Sequence, residues 1–242
     1  PAVALLSSHY LKKDRFDKAF RFALVHDSLS GQNGRSLVMF MRRCQDRLMY
    51  AETAELGRYV LKHYDTLRHS EQARFMLAEA YTSLGLFDTA MAHYDTIAAT
   101  YPQLPDKSMA LYQKGRILLD YLNRPDAALE LFDSVATNYR GGEGFVRSQL
   151  AIPYCHLRQG RLGQAQNAFQ TLLKRRLTPD MTEEVMYHMA LIKFFGKQPD
   201  SARTDLNRIL VEYPDGYFVN DAVGLLMVMD EAEEADTLLY DF

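Results

Sequence analysis

Four fragments of the chain, GLFDTAMAHY at 85–94, NRPDAALELF at 123–132, GRLGQAQNAF at 160–169 and KQPDSARTDL at 197–206, are copies of one pattern. Their alanines, Ala90, Ala128, Ala165 and Ala202, follow one another at 38, 37 and 37 residues. Four residues after each alanine stands an aromatic or a leucine (Tyr94, Phe132, Phe169, Leu206), and three beyond that an aliphatic (Ile97, Val135, Leu172, Ile209). Offsets of four and three put all three positions on one face of a helix. A fixed period of this length marks stacked supersecondary units, each unable to bury its apolar face alone.

Upstream of each alanine is a second amphipathic stretch, joined to the first by SLGLFD, YLNRPD, RQGRLG or GKQPD. Pro125 and Pro199 suit the first turn of the following helix, where a missing amide proton costs nothing. Gly85, Gly160 and Gly196 suit the left-handed residue that ends the preceding one. The second helices run out at TYPQLP (Tyr101, Pro102), NYRGG, RLTPD and EYPDG, where Tyr-Pro or paired glycines stop them. The frame extends backward. Tyr10, Phe16 and Ala19 match Tyr81, Phe87 and Ala90, while Tyr50 and Tyr64 match Phe87 and Tyr101, with Thr53 and Gly57 in place of the alanine and the aromatic. The expected units are 1–30, 33–67, 71–102, 106–140, 144–178 and 182–214, with a partial unit at 217–242, in a single array over 1–242.

These residues resemble the tetratricopeptide repeat family, whose small residue and tyrosine, turn glycine, alanine, aromatic and final proline read here as Ala78, Tyr81, Gly85, Phe87, Ala90, Tyr94 and Pro102. The resemblance covers nearly the whole chain and implies an all-α fold, an α-α superhelix of about six helical hairpins. It departs from the family in having no tryptophan and in placing Pro153 at a small-residue position. The long period with YP endings resembles the repeats of bacterial envelope proteins such as the Tol-Pal accessory protein and the barrel-assembly lipoprotein, which implies the periplasmic side of the envelope. By the same resemblance, a partner would lie on the wall formed by the first helix of each unit. The family's groove positions carry over to Val38 and Arg42, then Phe75, Glu79 and Thr82, then Tyr112 and Arg116, then Leu150, Tyr154 and Leu157, and lastly Tyr187, Leu191 and Phe194. Tyr112 and Tyr187, two units apart, are the favoured anchors, since aromatic and arginine side chains carry most binding energy at interfaces. The Lys and Asn that grip chaperone C-terminal carboxylates in one subfamily are absent from these positions, so a more apolar or folded ligand is expected.

No catalytic constellation accompanies the repeats. GGEG (141–144) lacks the Gly-Lys-Ser/Thr of a phosphate cradle and reads as an inter-repeat turn. Cys155 and His156 are adjacent and so point to different helical faces. Cys44 and Cys155, the only cysteines, are too few for a metal cluster, and three units apart they cannot meet in a disulfide. The pairs Glu183-Glu184 and Glu233-Glu234 read as solvated helix faces, the first capped by Thr182. Lys174 to Arg176 reads as dipole compensation at a helix end, and an overall charge of −3 argues against nucleic acid. No apolar run is long enough to span a bilayer.

The expected function is therefore a non-enzymatic scaffold for a protein or peptide, with no cofactor and no metal. The ends suggest two additions. The chain opens at Pro1 without an initiator methionine and closes on Leu238, Leu239, Tyr240 and Phe242 without a Gly or Pro stop, so it is expected to be a piece of a longer chain, and the alternative reading is a regulatory or localising segment of a larger enzyme or envelope assembly whose chemistry lies outside it. Residues 1–50 carry nine Lys/Arg against four Asp/Glu, and residues 201–242 two against ten, so salt-sensitive head-to-tail self-association is also expected.

Overall fold

A computed structural model of the chain describes residues 2–64, 69–100, 104–175 and 177–240, with side chains described except at 104–106 and 234–240. The expected Tyr101-Pro102 stop, Arg176 and Phe242 lie outside the described residues, as do the side chains of Leu238, Leu239 and Tyr240. The described residues form helices joined by turns, with no strand among them. They fall into two compact units, residues 1–147 and 148–242.

In the first unit α1 (Ala2–Lys12) pairs with α2 (Phe16–Ser30), α3 (Arg35–Gln45) with α4 (Tyr50–Tyr64), α5 (Ser70–Ser83) with α6 (Phe87–Thr100), and α7 (Leu104–Arg116) with α8 (Pro125–Asn138). A π-helical turn, Ile117–Tyr121, prolongs α7. α9 (Glu143–Arg158) runs across the boundary at residue 147. The second unit continues with α10 (Leu162–Leu173), α11 (Pro179–Phe195), α12 (Pro199–Glu212) and α13 (Val219–Tyr240), with α11 packed on α12 and α12 on α13.

The periodic positions make the core. Ala19, Ala90, Ala128, Ala165 and Ala202 are fully buried, as is Thr53, whose hydroxyl satisfies itself on the Met49 carbonyl at 2.7 Å. Tyr94, Phe132, Phe169 and Leu206 fill the layer above them, with Val60, Ile97, Val135, Leu172 and Ile209 a turn further on. Where the aromatic gives way to Gly57, a side chain has no room: a Cβ there would stand 2.8 Å from Met41 Cε and 2.9 Å from Leu77 Cβ. Phe87 stacks on Tyr121 of the following hairpin at 4.8 Å, and the Arg58 guanidinium donates to the Tyr81 hydroxyl at 3.3 Å, so neighbouring hairpins are tied by aromatic as well as aliphatic contacts.

Each of the six hairpin turns contains one left-handed residue: Asp14, Leu48, Gly85, Asn123, Gly160 and Lys197. Gly85 and Gly160 take the role their sequence suggests, but Gly196 does not. Its φ is −79°, and Lys197 next to it supplies the left-handed turn at +58°. The run 141–144 also divides. Gly141 and Gly142 are left-handed turn residues, whereas Gly144 lies inside α9, where a Cβ would meet the α7 backbone at Ser108 and Met109 at 2.5 Å. Both cysteines are free and buried. Burial, with Glu52 nearby, pushes the Cys44 thiol up to about 12.

The pair Glu183-Glu184 is not a solvated face, whereas Glu233 is exposed and the Glu234 side chain lies outside the described residues. Glu183 is 1% exposed, and its carboxylate accepts the backbone amides of Tyr217 at 3.0 Å and Phe218 at 2.7 Å, just before α13. A carboxylate at that point satisfies donors that have no partner inside the helix and faces the positive end of its dipole. Glu184 accepts the Tyr154 hydroxyl and Glu233 pairs with Arg203 at 2.9 Å. The residue that caps α11 is Thr178, whose Oγ1 accepts the Met181 amide at 3.4 Å. Thr182 instead donates to the Thr178 carbonyl. Asp27 does for α3 what Glu183 does for α13: only 2% exposed, it accepts the amides of Gly34 at 2.8 Å and Ser36 at 3.1 Å. Two helix starts are thus held by buried carboxylates supplied from a neighbouring element.

Candidate functional site

The expected wall positions recur with the repeat: Phe75, Tyr112, Leu150 and Tyr187 are equivalent, as are Arg42, Glu79, Arg116, Tyr154 and Leu191. They lie on α3, α5, α7, α9 and α11, the first helices of their hairpins.

In the first unit the wall carries three charged residues, Arg42, Glu79 and Arg116. α3 packs directly on α5, and the Gln45 amide bridges them by donating to Glu79 Oε2 at 2.7 Å. Burial raises the Glu79 carboxyl above its ordinary range, opposed in part by that hydrogen bond. On α3 Val38 is buried, whereas Arg42, one turn on, is exposed. Phe75 is half-buried and meets Tyr94 edge to face at 5.6 Å, so its ring belongs partly to the core. Thr82 is half-buried and returns its hydroxyl to the Ala78 carbonyl at 3.0 Å. Arg116 is exposed, donates to the Tyr112 hydroxyl at 3.1 Å and pairs with Asp120. Tyr112 itself is only 5% exposed, its ring tilted against Phe132 at 5.8 Å, so what it turns outward is little more than its hydroxyl edge.

In the second unit the wall is aromatic. The Tyr154 hydroxyl donates to Glu184 Oε1 at 2.5 Å, linking α9 to α11, and its ring meets Phe169 at 5.5 Å and His188 at 4.9 Å, both edge to face. Burial first, and then the Glu184 carboxylate, raise the Tyr154 phenol far above its ordinary range, so it acts as a donor. Burial lowers His188, although Glu184 opposes it, which keeps the imidazole neutral at pH 7. Tyr187 is half-buried and stacks on Phe218 at 5.0 Å. Leu150 and Leu157 pack into the α10–α11 core, and Phe194 into the α11–α12 core, while Leu191 is half-buried.

Sequence reasoning missed His188, Phe218 and Gln45. His188 follows Tyr187 directly and sits one step off the repeat position, and Phe218 lies in an inter-helix turn, so neither falls on a periodic site. Gln45 could have been found, because it lies 37 residues before Thr82.

Two stretches match models described as tetratricopeptide repeat, residues 75–143 and residues 184–216. No curated relative matches the chain. Among solved structures, a tetratricopeptide repeat protein from Parabacteroides merdae is 18% identical with a TM-score of 0.62, covering 87% of this chain and 78% of its own. PilW, described as a type IV pilus biogenesis factor, is 14% identical with a TM-score of 0.65, covering 92% and 97%. YrrB, described as a repeat protein with an unusual peptide-binding site, is 13% identical with a TM-score of 0.56, covering 88% and 97%. At these identities the likeness is one of fold.

Proposed function

The chain carries tetratricopeptide repeats, and from that premise we propose that it is a non-catalytic scaffold that holds a peptide or protein segment along the first-helix walls of its hairpins. The observation that carries this reading is Glu79. Its carboxylate is half-buried on the wall, with a raised pKa that makes its charged form costly at neutral pH, and packing alone does not require an acid at that position. A charge kept there suits a basic residue of a partner, with Arg42 and Arg116 on the flanking helices suited to acidic ones.

The wall of the second unit, taken by itself, offers an apolar anchor. Tyr187, Leu191 and Phe194 are half-buried on α11, and half-buried aromatics in a wall have the composition of an interface centre. That YrrB, a fold neighbour, has a peptide-binding site supports a peptide as one form of the ligand. Tyr112, packed as it is, contributes to partner binding mainly by holding the Arg116 guanidinium in place.

Affinity capture with the wild-type chain and with Tyr187→Ala, Glu79→Gln and Arg42→Ala tests the reading, each variant first checked by circular dichroism to be fully folded at the capture temperature. The expected result is a partner retained by the wild type and lost or weakened by all three. Retention of the same partner by all three variants would remove the wall as its binding site.

A further inference from the structure

A second recess lies away from these walls. α3 packs directly on α5, but α1 and α3 flank a cleft of about 250 Å³ closed at the back by α2. Its apolar lining comes from Ala4, Ala23, Met39 and Phe40, and its polar groups are His26, Gln32, Ser36, Arg43 and Ser7, the last already donating to the Ala19 carbonyl at 2.9 Å. On α3 the cleft residues Ser36, Phe40 and Arg43 share one helical face, and Val38, Arg42 and Gln45 share the opposite one. The cleft and the partner wall are therefore two sites on the same helix.

The polar groups are ordered. The Ser36 backbone amide is fixed by the buried Asp27 carboxylate, and its hydroxyl donates to Gln32 Oε1 at 2.8 Å. That hydroxyl has one proton, so toward His26 it accepts, and Nδ1 at 2.9 Å carries the hydrogen. The ring is thereby fixed in orientation, and among the described residues its Nε2 has no hydrogen-bond partner. Asp27 also takes the Gly34 amide, so a carboxylate of the chain itself already occupies the start of α3.

The remaining cation is Arg43. Its guanidinium crosses from α3 to α1 and donates to the Ser8 hydroxyl at 2.6 Å, and among the described residues no carboxylate pairs with it. Arg47, four residues on, is by contrast paired with Asp14 at 2.8 Å. A guanidinium offers five donors in a planar fork, of which one neutral hydroxyl uses a single arm, and that fork matches a carboxylate. Around it stand methyl, thioether and phenyl groups in a space smaller than most drug-sized ligand sites.

We propose that this cleft binds a compact apolar monocarboxylate, its carboxylate on Arg43 and its hydrocarbon body among Ala4, Ala23, Met39 and Phe40. The same chemistry is offered by a free acid and by the last residue of a chain, and the test separates them.

The probes are 4-methylpentanoate, its primary amide, and a tripeptide ending in leucine, titrated into the full chain while the Met39 methyl and His26 ring resonances are followed by NMR. The expected result is saturable shifts at both residues with 4-methylpentanoate at about millimolar Kd or tighter, and at least tenfold weaker binding of the amide. Arg43→Met, which keeps the side-chain body, should cost the acid about tenfold and leave the amide unchanged, whereas Arg21→Met, on the exposed side of α2, should change neither. Binding of the tripeptide equal to the free acid assigns the cleft to chain ends, and its exclusion assigns it to free acids. Absence of shifts with both acids, or equal binding of acid and amide, overturns the proposal. Such a failure would leave the partner wall untouched, because it lies on the other face of α3.

Discussion

Glu183 and Glu184 are neighbours with the same side chain, and the structure gives them different work, which makes them a sharp pair for mutation. Replacing Glu183 by Ala removes the side chain that accepts both the Tyr217 and the Phe218 amides. Hydrogen bonds to a charged group contribute about 1.5–3 kcal/mol each, and a buried donor left unpaired costs about 1–3 kcal/mol. The carboxylate's own desolvation and water entering the space both reduce the sum, so the expected loss is about 2–4 kcal/mol. For a chain of this size that lowers Tm by about 5 °C or more. Glu183→Gln keeps one acceptor and should fall between the two. Glu184→Ala loses a single part-buried bond from Tyr154 and should cost about 1–2 kcal/mol. Hydrogen exchange supplies the local readout: in Glu183→Ala the amides at 217 and 218 should lose protection while those of α5 and α6 keep theirs. Equal melting temperatures for the Glu183→Ala and Glu184→Ala variants, or undiminished protection at 217 and 218, would refute the reasoning.

Three further outcomes are expected. Leu48→Gly should stabilise the fold by about 0.5–1 kcal/mol in urea unfolding, because Leu48 holds a left-handed φ of 59° that costs a branched residue about 1–2 kcal/mol and a glycine only its extra unfolded-state entropy. Glu79→Gln should raise Tm at pH 7. The folded carboxyl has a raised pKa, so its contribution to stability is full below the unfolded value and falls as pH rises through the folded one. The gain should therefore vanish at pH values below the ordinary carboxylate range, and a gain independent of pH would contradict it. The basic start and acidic end of the sequence predict a sedimentation coefficient that falls on moving from low to high salt, where the Debye length drops below about 8 Å. A constant monomer would exclude charge-driven self-association.

The fold was legible because its unit is local. A period of 37 residues, an alanine with apolar residues four and seven later, and turn chemistry between them specify a hairpin without knowledge of anything distant. The failures are places where a residue's role depends on a partner in another hairpin. Glu183 reads as a surface carboxylate until residues 217 and 218, more than thirty positions on, bring their amides to it. Leu48 and Lys197 take a left-handed turn that their side chains disfavour, since packing of two helices fixes the turn whether or not a glycine is present. Tyr112 and Tyr187 occupy the same repeat position, yet Phe132 covers the first, while the second leans on Phe218 and stays half-buried. Periodicity identifies which positions can face a partner, and the neighbours of each copy decide which of them do.

The claim that the first-helix wall is where a partner lies can be tested residue by residue. A photo-crosslinking side chain placed singly at Arg42, Thr82 and Leu191 on the wall, and at Asp17, Thr89 and Asn207 on the exposed second-helix surfaces, would be activated with the captured partner bound. Crosslinks are expected from the wall positions and few or none from the other three. Crosslinks confined to Asp17, Thr89 and Asn207 would contradict it.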